Sequence, residues 1–342
     1  MKRIGIITSG GDAPGTNACV RVIARRCFEA QIEAVGIYDS WDGLLKSAVR
    51  TLGRGDVAGI AQRAGTILRS ARSRLFLSPG DPQIAKDALS KHGIDGLVVV
   101  GGNGSQTAAA MLAEAGFPVV GVPKTIDNDL VGTDQSVGFQ TAVEVAMQAL
   151  DALRATAESH SRVMVVEVMG RHVGWIAVEA AIAGGADIAL IPEHDFTLDE
   201  IFERLHTRHE VHKRNYSIVI VAEGAMDSAK KLDVNRGTRD VLGRLRLGGV
   251  GTMLAHEIER KLGWDARCTT LGYLQRCAAP IAPDRLLATW LSDKAVDFLL
   301  AGQSGVMAGL NGRTVEAMPL KDVVGKLKTV TDDYFRLAKI FG

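Results

Sequence analysis

Pro123–Asp129 concentrates charged and polar side chains directly after a run of apolar residues. The stretch reads Pro-Lys-Thr-Ile-Asp-Asn-Asp and follows Phe117–Val122, which predicts a buried β-strand. In open α/β sheets, ligands bind just beyond the carboxyl ends of the strands. One ammonium, one hydroxyl and two carboxylates at such a place favour proton transfer, metal binding or anion binding. Taken alone, the stretch is also compatible with a polar turn closed by Asn128 or Asp129.

Two other strand ends carry glycine-rich turns that suit a phosphate. Ser9–Asn17 follows the predicted strand Arg3–Thr8, and Gly101–Ser105 follows the predicted strand Gly96–Val100. Glycines let backbone N–H groups approach an anion, and the dipole of the following helix adds to the attraction. Neither turn matches GxxxxGK[ST] or GxGxxG, and a glycine turn for close packing is the alternative interpretation. Together with Pro123–Asp129, the turns predict a polyphosphate-sized crevice in a doubly wound sheet.

The composition is that of an ordinary globular protein and argues against several kinds of partner. The chain has 342 residues, of which 23% are charged and 5% aromatic, and its formal net charge is +1. This length predicts two domains with large cores. Because the net charge is close to zero and aromatic side chains are scarce, we expect neither nucleic acid nor a membrane surface as a partner.

Cysteine usage and the N-terminal sequence bear on the cellular compartment. The chain has 4 cysteines and no CxxC pair, which favours reduced thiols over a disulfide or zinc framework. Met1–Ile4 does not begin a secretory signal, and no apolar stretch approaches the roughly 20 residues that span a bilayer. A cytoplasmic location is therefore expected.

Alternating strand and helix patterns predict the architecture. Further strands are predicted at Glu33–Tyr38, Val163–Val168, Ile188–Ile191, Ser217–Ala222, Arg267–Leu271 and Gly305–Asn311. Helices are predicted at Pro82–His92, Gln106–Ala115, Ser136–Ala155, Trp175–Ala183, Leu198–Lys213, Thr252–Leu262, Pro283–Ala301 and Lys321–Ala338. The polar, glycine-rich stretch Asp227–Gly251 interrupts this order and is interpreted as an insertion. The pattern predicts an α/β fold with two Rossmann-like, three-layer domains and mostly parallel sheets.

Seven stretches together resemble one family, the 6-phosphofructokinases, whose members use ATP or pyrophosphate. The stretches are SGGDAPGTN, GGNGS, PKTIDND, SHSRVMVVEVMGRHVGW, AIAGGADIALIPE, AEG and LGYLQR, in the family's order from about Arg3 to Ala301. The resemblance implies an active site in the cleft between two domains and phosphoryl transfer to the 1-hydroxyl of fructose 6-phosphate, giving fructose 1,6-bisphosphate in glycolysis. It implies a donor domain at 1–138 plus about 275–325, a sugar domain at about 139–274 and a C-terminal helix at about 326–342.

The resemblance assigns the chemical steps to particular residues. Asp127 matches the catalytic base that takes the proton of the sugar hydroxyl. Thr125 and Arg171 match positions that hold the transferring phosphoryl group, where an arginine neutralises developing charge, and Lys124 would add a cation beside it. Asp129 and Asn103 are the expected Mg²⁺ ligands, with Asn103 the weaker because its amide is uncharged.

The resemblance also assigns the binding residues. Expected contacts to the phosphoryl donor are Gly11, Arg72, Gly102, Asn103, Gly104 and Ser105. Expected contacts to fructose 6-phosphate are Thr125, Asp127, Arg162, Met169, Gly170, Arg171, Glu223, Arg267, Tyr273 and Arg276. Arg162, Arg267 and Arg276 match arginines that grip the 6-phosphate, two of them from a neighbouring subunit, and the guanidinium fork suits that task. Tyr273 stands where many ATP enzymes have histidine, and its phenol can still donate to a phosphate.

Three residues bear on the identity of the donor. Gly104 is the small residue typical of ATP enzymes, whereas pyrophosphate enzymes usually have an aspartate that would occupy the space of the nucleotide's α-phosphate. Lys124 is typical of pyrophosphate enzymes, and Asn103 also occurs in some of them. The insertion at Asp227–Gly251 resembles the pyrophosphate-related branch as well. ATP is the preferred prediction, because Gly104 leaves room for a nucleotide, and pyrophosphate is the alternative.

Basic residues outside these motifs suggest regulation. A helix is predicted to follow the turn Ser9–Asn17, and Arg21 and Arg25 share one face of it because they are four residues apart. With Arg54, Arg154, Asp187, Lys213 and Arg214 they resemble the effector site at the subunit interface of bacterial ATP enzymes, which binds ADP or phosphoenolpyruvate. The hypothesis is a homotetramer, or alternatively a homodimer, that responds to such an effector. A solvated basic face is the other interpretation.

Two other functions are compatible with the sequence. A non-catalytic relative would bind phosphosugar without turnover, but the intact set Asp127, Thr125 and Arg171 argues against it. A kinase of the same fold could act on a longer sugar such as sedoheptulose 7-phosphate, since arginines that bind a terminal phosphate do not exclude it.

Overall fold

The structure, a computed structural model, describes residues 1–71, 73, 75–76, 78, 80–229 and 248–340. Its contacts divide the chain into two compact units. Unit 1 comprises Met1–Thr141 and Arg276–Lys328, and unit 2 comprises Ala142–Gln275 and Thr329–Gly342. The borders expected from the sequence lay at 138, 275 and 325.

Unit 1 contains a seven-stranded sheet with the order β11-β10-β5-β4-β1-β2-β3. The strands are β1 (Arg3–Thr8), β2 (Glu33–Ile37), β3 (Val49–Thr51), β4 (Gly96–Gly101), β5 (Val119–Pro123), β10 (Val306–Asn311) and β11 (Thr314–Pro319). The central pairs are parallel, whereas β3 and β11 pair antiparallel to their neighbours at the two edges. The central strands form because their Ile and Val runs are buried on both faces, as parallel sheets require.

Helices cover both faces of this sheet. Those of unit 1 are α1 (Thr16–Glu29), α2 (Ser40–Leu45), α3 (Asp81–Lys91), α4 (Asn103–Glu114), α10 (Ala282–Leu300) and α11 (Leu320–Val323). Side chains of α1 and α10 form one core with alternate residues of β1, β4 and β5. Those of α3, α4 and α11 form the other core with the residues in between. The result is the three-layer arrangement that the alternating pattern predicts.

Unit 2 contains a four-stranded parallel sheet with the order β7-β8-β6-β9. Its strands are β6 (Val163–Val168), β7 (Ile188–Leu190), β8 (Ser217–Ala222) and β9 (Ala266–Thr270). Helices assigned to it or entering it are α5 (Phe139–His160), α6 (Trp175–Gly184), α7 (Leu198–His206), α8 (Val250–Leu262), α9 (Leu274–Cys277) and α12 (Asp332–Ile340), with a π-helix at Thr207–Val211. Residues of α7 and α8 form a core with one face of the sheet.

The predicted helix over Lys321–Ala338 is wrong. The structure has α11, a non-helical stretch at 324–331 and then α12, so the C-terminal helix begins at Asp332 rather than at about 326. Gly325 has a φ of 76°, a left-handed conformation that ends a helix. In the non-helical stretch, the N–H groups of Lys328 and Val330 donate to Asp129 O and to the Glu193 carboxylate instead of to a helical partner.

Other element boundaries also differ from the prediction. Helix α4 starts at Asn103, so residues 103–105 lie in its first turn rather than before it. The predicted helix Leu198–Lys213 is α-helical only to His206 and continues as the π-helix. Most of the predicted insertion, residues 230–247, lies outside the described residues. Among the helices that the structure describes, none is long and apolar enough to cross a bilayer.

Candidate functional site

The carboxyl ends of three neighbouring strands in unit 1 bring the three sequence motifs together. Strand β4 pairs with β1 and with β5, placing Thr8 opposite Val100 and Gly101 opposite Pro123. Just beyond the strands, Ser9 N donates to Val100 O at 3.0 Å and Lys124 N donates to Gly101 O at 3.1 Å. Because the strands are parallel, all three turns leave the same edge of the sheet. This confirms the predicted α/β edge with polar turns.

The Lys124 side chain turns into the protein rather than toward Thr125 and Asp127. It is only 1% exposed, and its Nζ donates to Ser9 O at 3.0 Å and to Gly11 O at 2.5 Å. The pKa of Lys124 is lowered to about 8, mainly because the side chain is buried and secondly because the positive charge of Arg276 is close. The ammonium therefore fixes the backbone of the glycine-rich turn after β1.

Arg276 lies against the same turn. Its Nη1 donates to Asp12 O at 2.8 Å, and a Cβ added to Gly11 would lie 2.8 Å from that nitrogen. A side chain at position 11 would displace the guanidinium from this place, which is a local reason for Gly11 besides access to a donor. Sequence reasoning connected Arg276 with the sugar phosphate and did not foresee this contact.

Asn103 and Asp129 form a pair across the ends of β4 and β5. Asn103 Nδ2 donates to Asp129 Oδ2 at 2.6 Å. The pKa of Asp129 is raised to about 6, mainly because the side chain is buried and secondly because the negative charge of Asp127 is close. The other oxygen, Asp129 Oδ1, is buried and has no hydrogen-bond partner among the described residues. A buried carboxylate oxygen without a donor costs free energy unless a cation or ligand satisfies it.

The catalytic candidates are held by their own loop. Thr125 Oγ1 accepts from Asp127 N at 3.1 Å, and Thr125 O accepts from Ser136 Oγ at 2.7 Å. Both Thr125 and Asp127 are partly exposed, so a ligand can reach them. This geometry leaves Asp127 partly exposed just beyond the end of β5.

The first turn of α4 is open at Gly104. No described atom lies within 4 Å of the position that a Cβ on Gly104 would take, whereas Ser105 is buried under Gly101. Gly102 lies close to Thr125, since its added Cβ would be 3.4 Å from the Thr125 Cβ. Space for a donor therefore exists over Gly104. Arg72, the remaining predicted donor contact, lies outside the described residues.

In unit 2, four predicted sugar-binding residues meet at the carboxyl ends of β6 and β8. Glu223 N donates to Val168 O at 2.9 Å and Gly224 N donates to Gly170 O at 3.1 Å. Gly170 has a φ of 145°, and a Cβ there would lie 2.7 Å from Val173 O. This tight crossing places Met169, Gly170, Arg171 and Glu223 side by side, with the three side-chain-bearing residues partly exposed.

Two predicted 6-phosphate arginines lie at the opposite end of the same sheet. Arg162 directly precedes β6, and Arg267 is opposite Met164 at the start of β9. Both contact Asp265: Arg162 Nε forms a short ion pair with it, and Arg267 Nη1 lies 2.6 Å from its Oδ1. The six residues of β6 span about 20 Å, so within unit 2 these arginines do not meet the group around Glu223.

Comparison with known proteins decides the family. A family model described as "Phosphofructokinase" matches residues 3–299. The chain belongs to the phosphofructokinase family. It is 42% identical over 340 residues to a pyrophosphate–fructose 6-phosphate 1-phosphotransferase of Amycolatopsis mediterranei, covering 99% of each chain. It is 45% identical over 332 residues to ATP-dependent 6-phosphofructokinase 2 of Streptomyces coelicolor, covering 97% of each chain.

Solved phosphofructokinase structures share the fold. The chain superposes on phosphofructokinase from Pichia pastoris in the T-state with a TM-score of 0.83 and 33% identity, covering 94% of this chain and 35% of that one. The family resemblance and the α/β class inferred from the sequence are thus confirmed, and so is the assignment to the phosphotransferases. The roles of individual residues stay predictions.

A cavity in unit 2 of this phosphofructokinase-family chain gathers charged side chains near the amino ends of β7 and β8. Its volume is about 530 Å³, and its lining includes Asp187, Arg204, Arg208, His212 and Arg214. Asp187 is 3% exposed and pairs with Arg208 at 2.8 Å. The sequence predicted Asp187 and Arg214 as effector residues but not Arg204, Arg208 and His212. Their spacing is that of an ordinary helix and does not indicate the π-helix that precedes His212.

Two of the other predicted effector residues, Arg154 and Arg54, have partners away from this cavity. Arg154 Nη2 donates to Gly184 O and Gly185 O, and the Arg54 guanidinium stacks over the Phe28 ring at 5.4 Å. On α1 of unit 1, Arg21 is half-buried and Arg25 is exposed. They belong to a different unit from the cavity.

Replacing Asp129 with asparagine should stabilise the metal-free protein at neutral pH. The pKa of Asp129 in the folded state lies near 6, above the ordinary aspartate value of 3.8, so the folded state binds more protons than the unfolded state between these values. Above pH 6 the ionised carboxylate destabilises the fold, and the neutral amide removes that cost. We expect Asp129→Asn to raise the free energy of unfolding by about 1–2 kcal/mol at pH 8.

Urea unfolding in EDTA at pH 8 and pH 4.5 measures this effect. The gain should shrink at pH 4.5, where Asp129 is protonated in the folded wild type. Asp322→Asn, an exposed aspartate on α11, is the matched control and should change neither value. A variant that is less stable than wild type at pH 8 would contradict the prediction.

Proposed function

We propose that the chain transfers a phosphoryl group from ATP to the 1-hydroxyl of fructose 6-phosphate. The observation that carries this proposal is the edge of the unit 1 sheet, where Asp127 and Thr125 follow β5 and two glycine-rich turns follow β1 and β4. A phosphoryl-transfer site needs a base for the hydroxyl, an approach for polyphosphate and a place for a divalent cation. The relatives named above act on the same sugar phosphate with ATP or pyrophosphate.

In this proposal Asp127 accepts the proton of the sugar 1-hydroxyl as the oxygen attacks the terminal phosphorus. Asp127 is a partly exposed residue, so a ligand can reach it, and its backbone N–H donates to Thr125 Oγ1, which fixes the backbone at this position. Thr125 orients the transferring group, and Arg171 neutralises the charge that develops on its oxygens. Lys124 acts indirectly, because its ammonium holds the turn that faces the donor.

Mg²⁺ fits the pair Asp129 and Asn103. The unsatisfied buried oxygen Asp129 Oδ1 is a suitable hard ligand, and the Asn103 amide oxygen is a weaker one. In the described ranges, no group of three or more His, Cys, Asp or Glu side chains could hold a metal. The donor's phosphates therefore supply most of the ligands, and the cation, when bound, neutralises their charge.

The sugar is bound by the residues at the carboxyl ends of β6 and β8, together with Tyr273 and Arg276. Met169, Gly170 and Glu223 contact the sugar, with Glu223 accepting hydrogen bonds from its hydroxyls, and Tyr273 and Arg276 bind its phosphate. Tyr273 is 76% exposed, which suits a residue that closes on a ligand or a neighbouring chain. Arg162 and Arg267 lie about 20 Å away along β6, so we infer that they serve the site of a neighbouring subunit in a homotetramer.

Asp127→Ser should nearly abolish turnover and leave fructose 6-phosphate binding measurable. Loss of the base removes general base catalysis, so kcat should fall by about 10²–10⁴-fold. Steady-state kinetics and calorimetric binding of the sugar phosphate measure the two effects. Asp151→Ser, an exposed aspartate on α5, should retain the wild-type rate. An unchanged kcat in Asp127→Ser would refute the assignment of the base.

Donor preference should depend on Gly104. With matched free Mg²⁺, we expect a higher kcat/KM for ATP than for pyrophosphate, because the space over Gly104 is open. Gly104→Asp places a carboxylate in that space and should lower kcat/KM for ATP at least about 10-fold relative to pyrophosphate. Gly104→Ala fills the same space without charge and is the matched control. A wild-type pyrophosphate rate far above the ATP rate would establish the alternative donor.

We further propose that an anionic effector such as ADP or phosphoenolpyruvate binds the unit 2 cavity. Arg204, Arg208 and Arg214 give the cavity an excess of positive charge over Asp187 and Glu203. Arg208 and Arg204 already contact Asp187, so Arg214 is the arginine best suited to a ligand. Effector binding by arginine clusters is a common form of anion recognition.

Arg214→Ala should remove the response to the effector and keep the maximal rate. The wild type should give a sigmoidal fructose 6-phosphate curve that shifts with ADP or phosphoenolpyruvate, while the variant's curve should not shift. Arg313→Ala, an exposed arginine in unit 1, serves as the control. A hyperbolic wild-type curve that neither compound changes would count against regulation.

A further inference from the structure

Lys328 lies far from the catalytic loop in sequence but is bonded to it in unit 1. Its Nζ donates to Asn128 Oδ1 at 3.0 Å, to Thr133 O at 2.8 Å and to Asp134 O at 2.7 Å. An ammonium has three N–H donors, and these bonds use all of them. In addition, Lys328 N donates to Asp129 O at 2.9 Å.

The bonded segment is a closed loop. Lys124 bridges to Val137, and Val137 N donates to Pro123 O at 3.0 Å, so the ends of the loop 124–137 meet. Within it, Asn128 adopts a φ of 53°, a left-handed conformation that is uncommon for a residue other than glycine. A short loop with such a residue needs internal bonds to keep one conformation.

Lys328 is linked through Asn128 to further hydrogen bonds inside the loop. Asn128 is 3% exposed, and its Oδ1 also accepts from Ser136 N at 3.1 Å. Ser136 Oγ in turn donates to Thr125 O at 2.7 Å. A continuous chain of hydrogen bonds thus runs from the ammonium through Asn128 and Ser136 to the residue two positions before Asp127.

We propose that Lys328 is a positioning residue that holds loop 124–137, and through it Asp127, in the geometry for phosphoryl transfer. It does not contact the reacting atoms. Three carbonyl-type oxygens that converge on one ammonium leave the loop little freedom, and removal of the cation takes one donor from each of them. The proposal rests on the proposed function, because it uses Asp127 as the base of that reaction.

Lys328→Met tests this role, since methionine keeps most of the side-chain length without the charge. We expect kcat to fall by about 10–100-fold, because small misplacement of a catalytic group has effects of that size, while KM for fructose 6-phosphate changes less than about three-fold. Lys328→Arg should recover part of kcat. Lys326→Met, two residues earlier and exposed, is the matched control and should behave as wild type.

Hydrogen exchange gives a readout that does not depend on turnover. Amides of 124–137 should exchange faster in Lys328→Met than in wild type, while those of β1 and β4 stay protected. Faster exchange confined to 324–331, with unchanged kcat, would overturn the proposal and leave Lys328 as an anchor of the C-terminal segment only. Should the wild type turn over fructose 6-phosphate with neither donor, the proposed function fails, and hydrogen exchange still decides whether Lys328 holds the loop.

A double-mutant cycle with Asn128→Gly tests the path of the effect. Glycine accepts the positive φ but removes the Oδ1 acceptor, so this variant should show the same selective loss of kcat. Because both residues act in one hydrogen-bond network, the double variant should lose less kcat than the product of the two single losses. Independent, multiplicative losses would contradict a shared role.

Discussion

The parallel pairing of β1, β4 and β5 is the constraint on which the rest of the candidate site depends. Parallel strands in register end at one edge, so three turns that are far apart in the chain leave the sheet together. The two glycine-rich turns and Asp127 are neighbours only because these strands bring them to one edge. The buried Ile and Val runs that make these strands thus determine where chemistry is possible.

Charged groups buried at this edge stabilise its geometry at some electrostatic cost. Lys124 gives up hydration to hold Ser9 O and Gly11 O, which lowers its pKa to about 8. The pKa of Asp129 is shifted the other way: burial beside Asp127 raises it to about 6. Shifted pKa values of this kind are typical of sites where a ligand binds and supplies the missing charge. The two lysines, Lys124 and Lys328, act mainly on backbone carbonyls, so the cations nearest the loop organise it rather than face the solvent.

Unit 2 uses its sheet differently, with candidate residues at both ends. Glu223 and Arg171 lie beyond the carboxyl ends of β6 and β8, where α/β folds usually bind ligands. Arg162 and Arg267 lie at the amino ends, where Asp265 pairs with both of them. Because the two pairs lie at opposite ends of the sheet, the four residues of one chain do not meet around a single ligand. An assembly of several copies would give both ends of the sheet a use.

The sequence alone determined the α/β class, most strands and helices, the family and the turns that carry the candidate residues. These features depend on local patterns: apolar runs, helical spacing and glycine beside polar residues. The sequence did not predict the contacts of Lys124. Its position in the stretch Pro123–Asp129 suggests a phosphate contact, but its side chain is buried and its ammonium binds the backbone of the turn after β1. The sequence missed Lys328, Asp265 and Arg208, since their partners are distant in sequence or depend on a π-helix. It also mistook 324–331 for helix, because the bonds that hold this stretch extended come from Asp129 and Glu193. Local patterning specifies which residues are available, and only the tertiary contacts decide which of them meet.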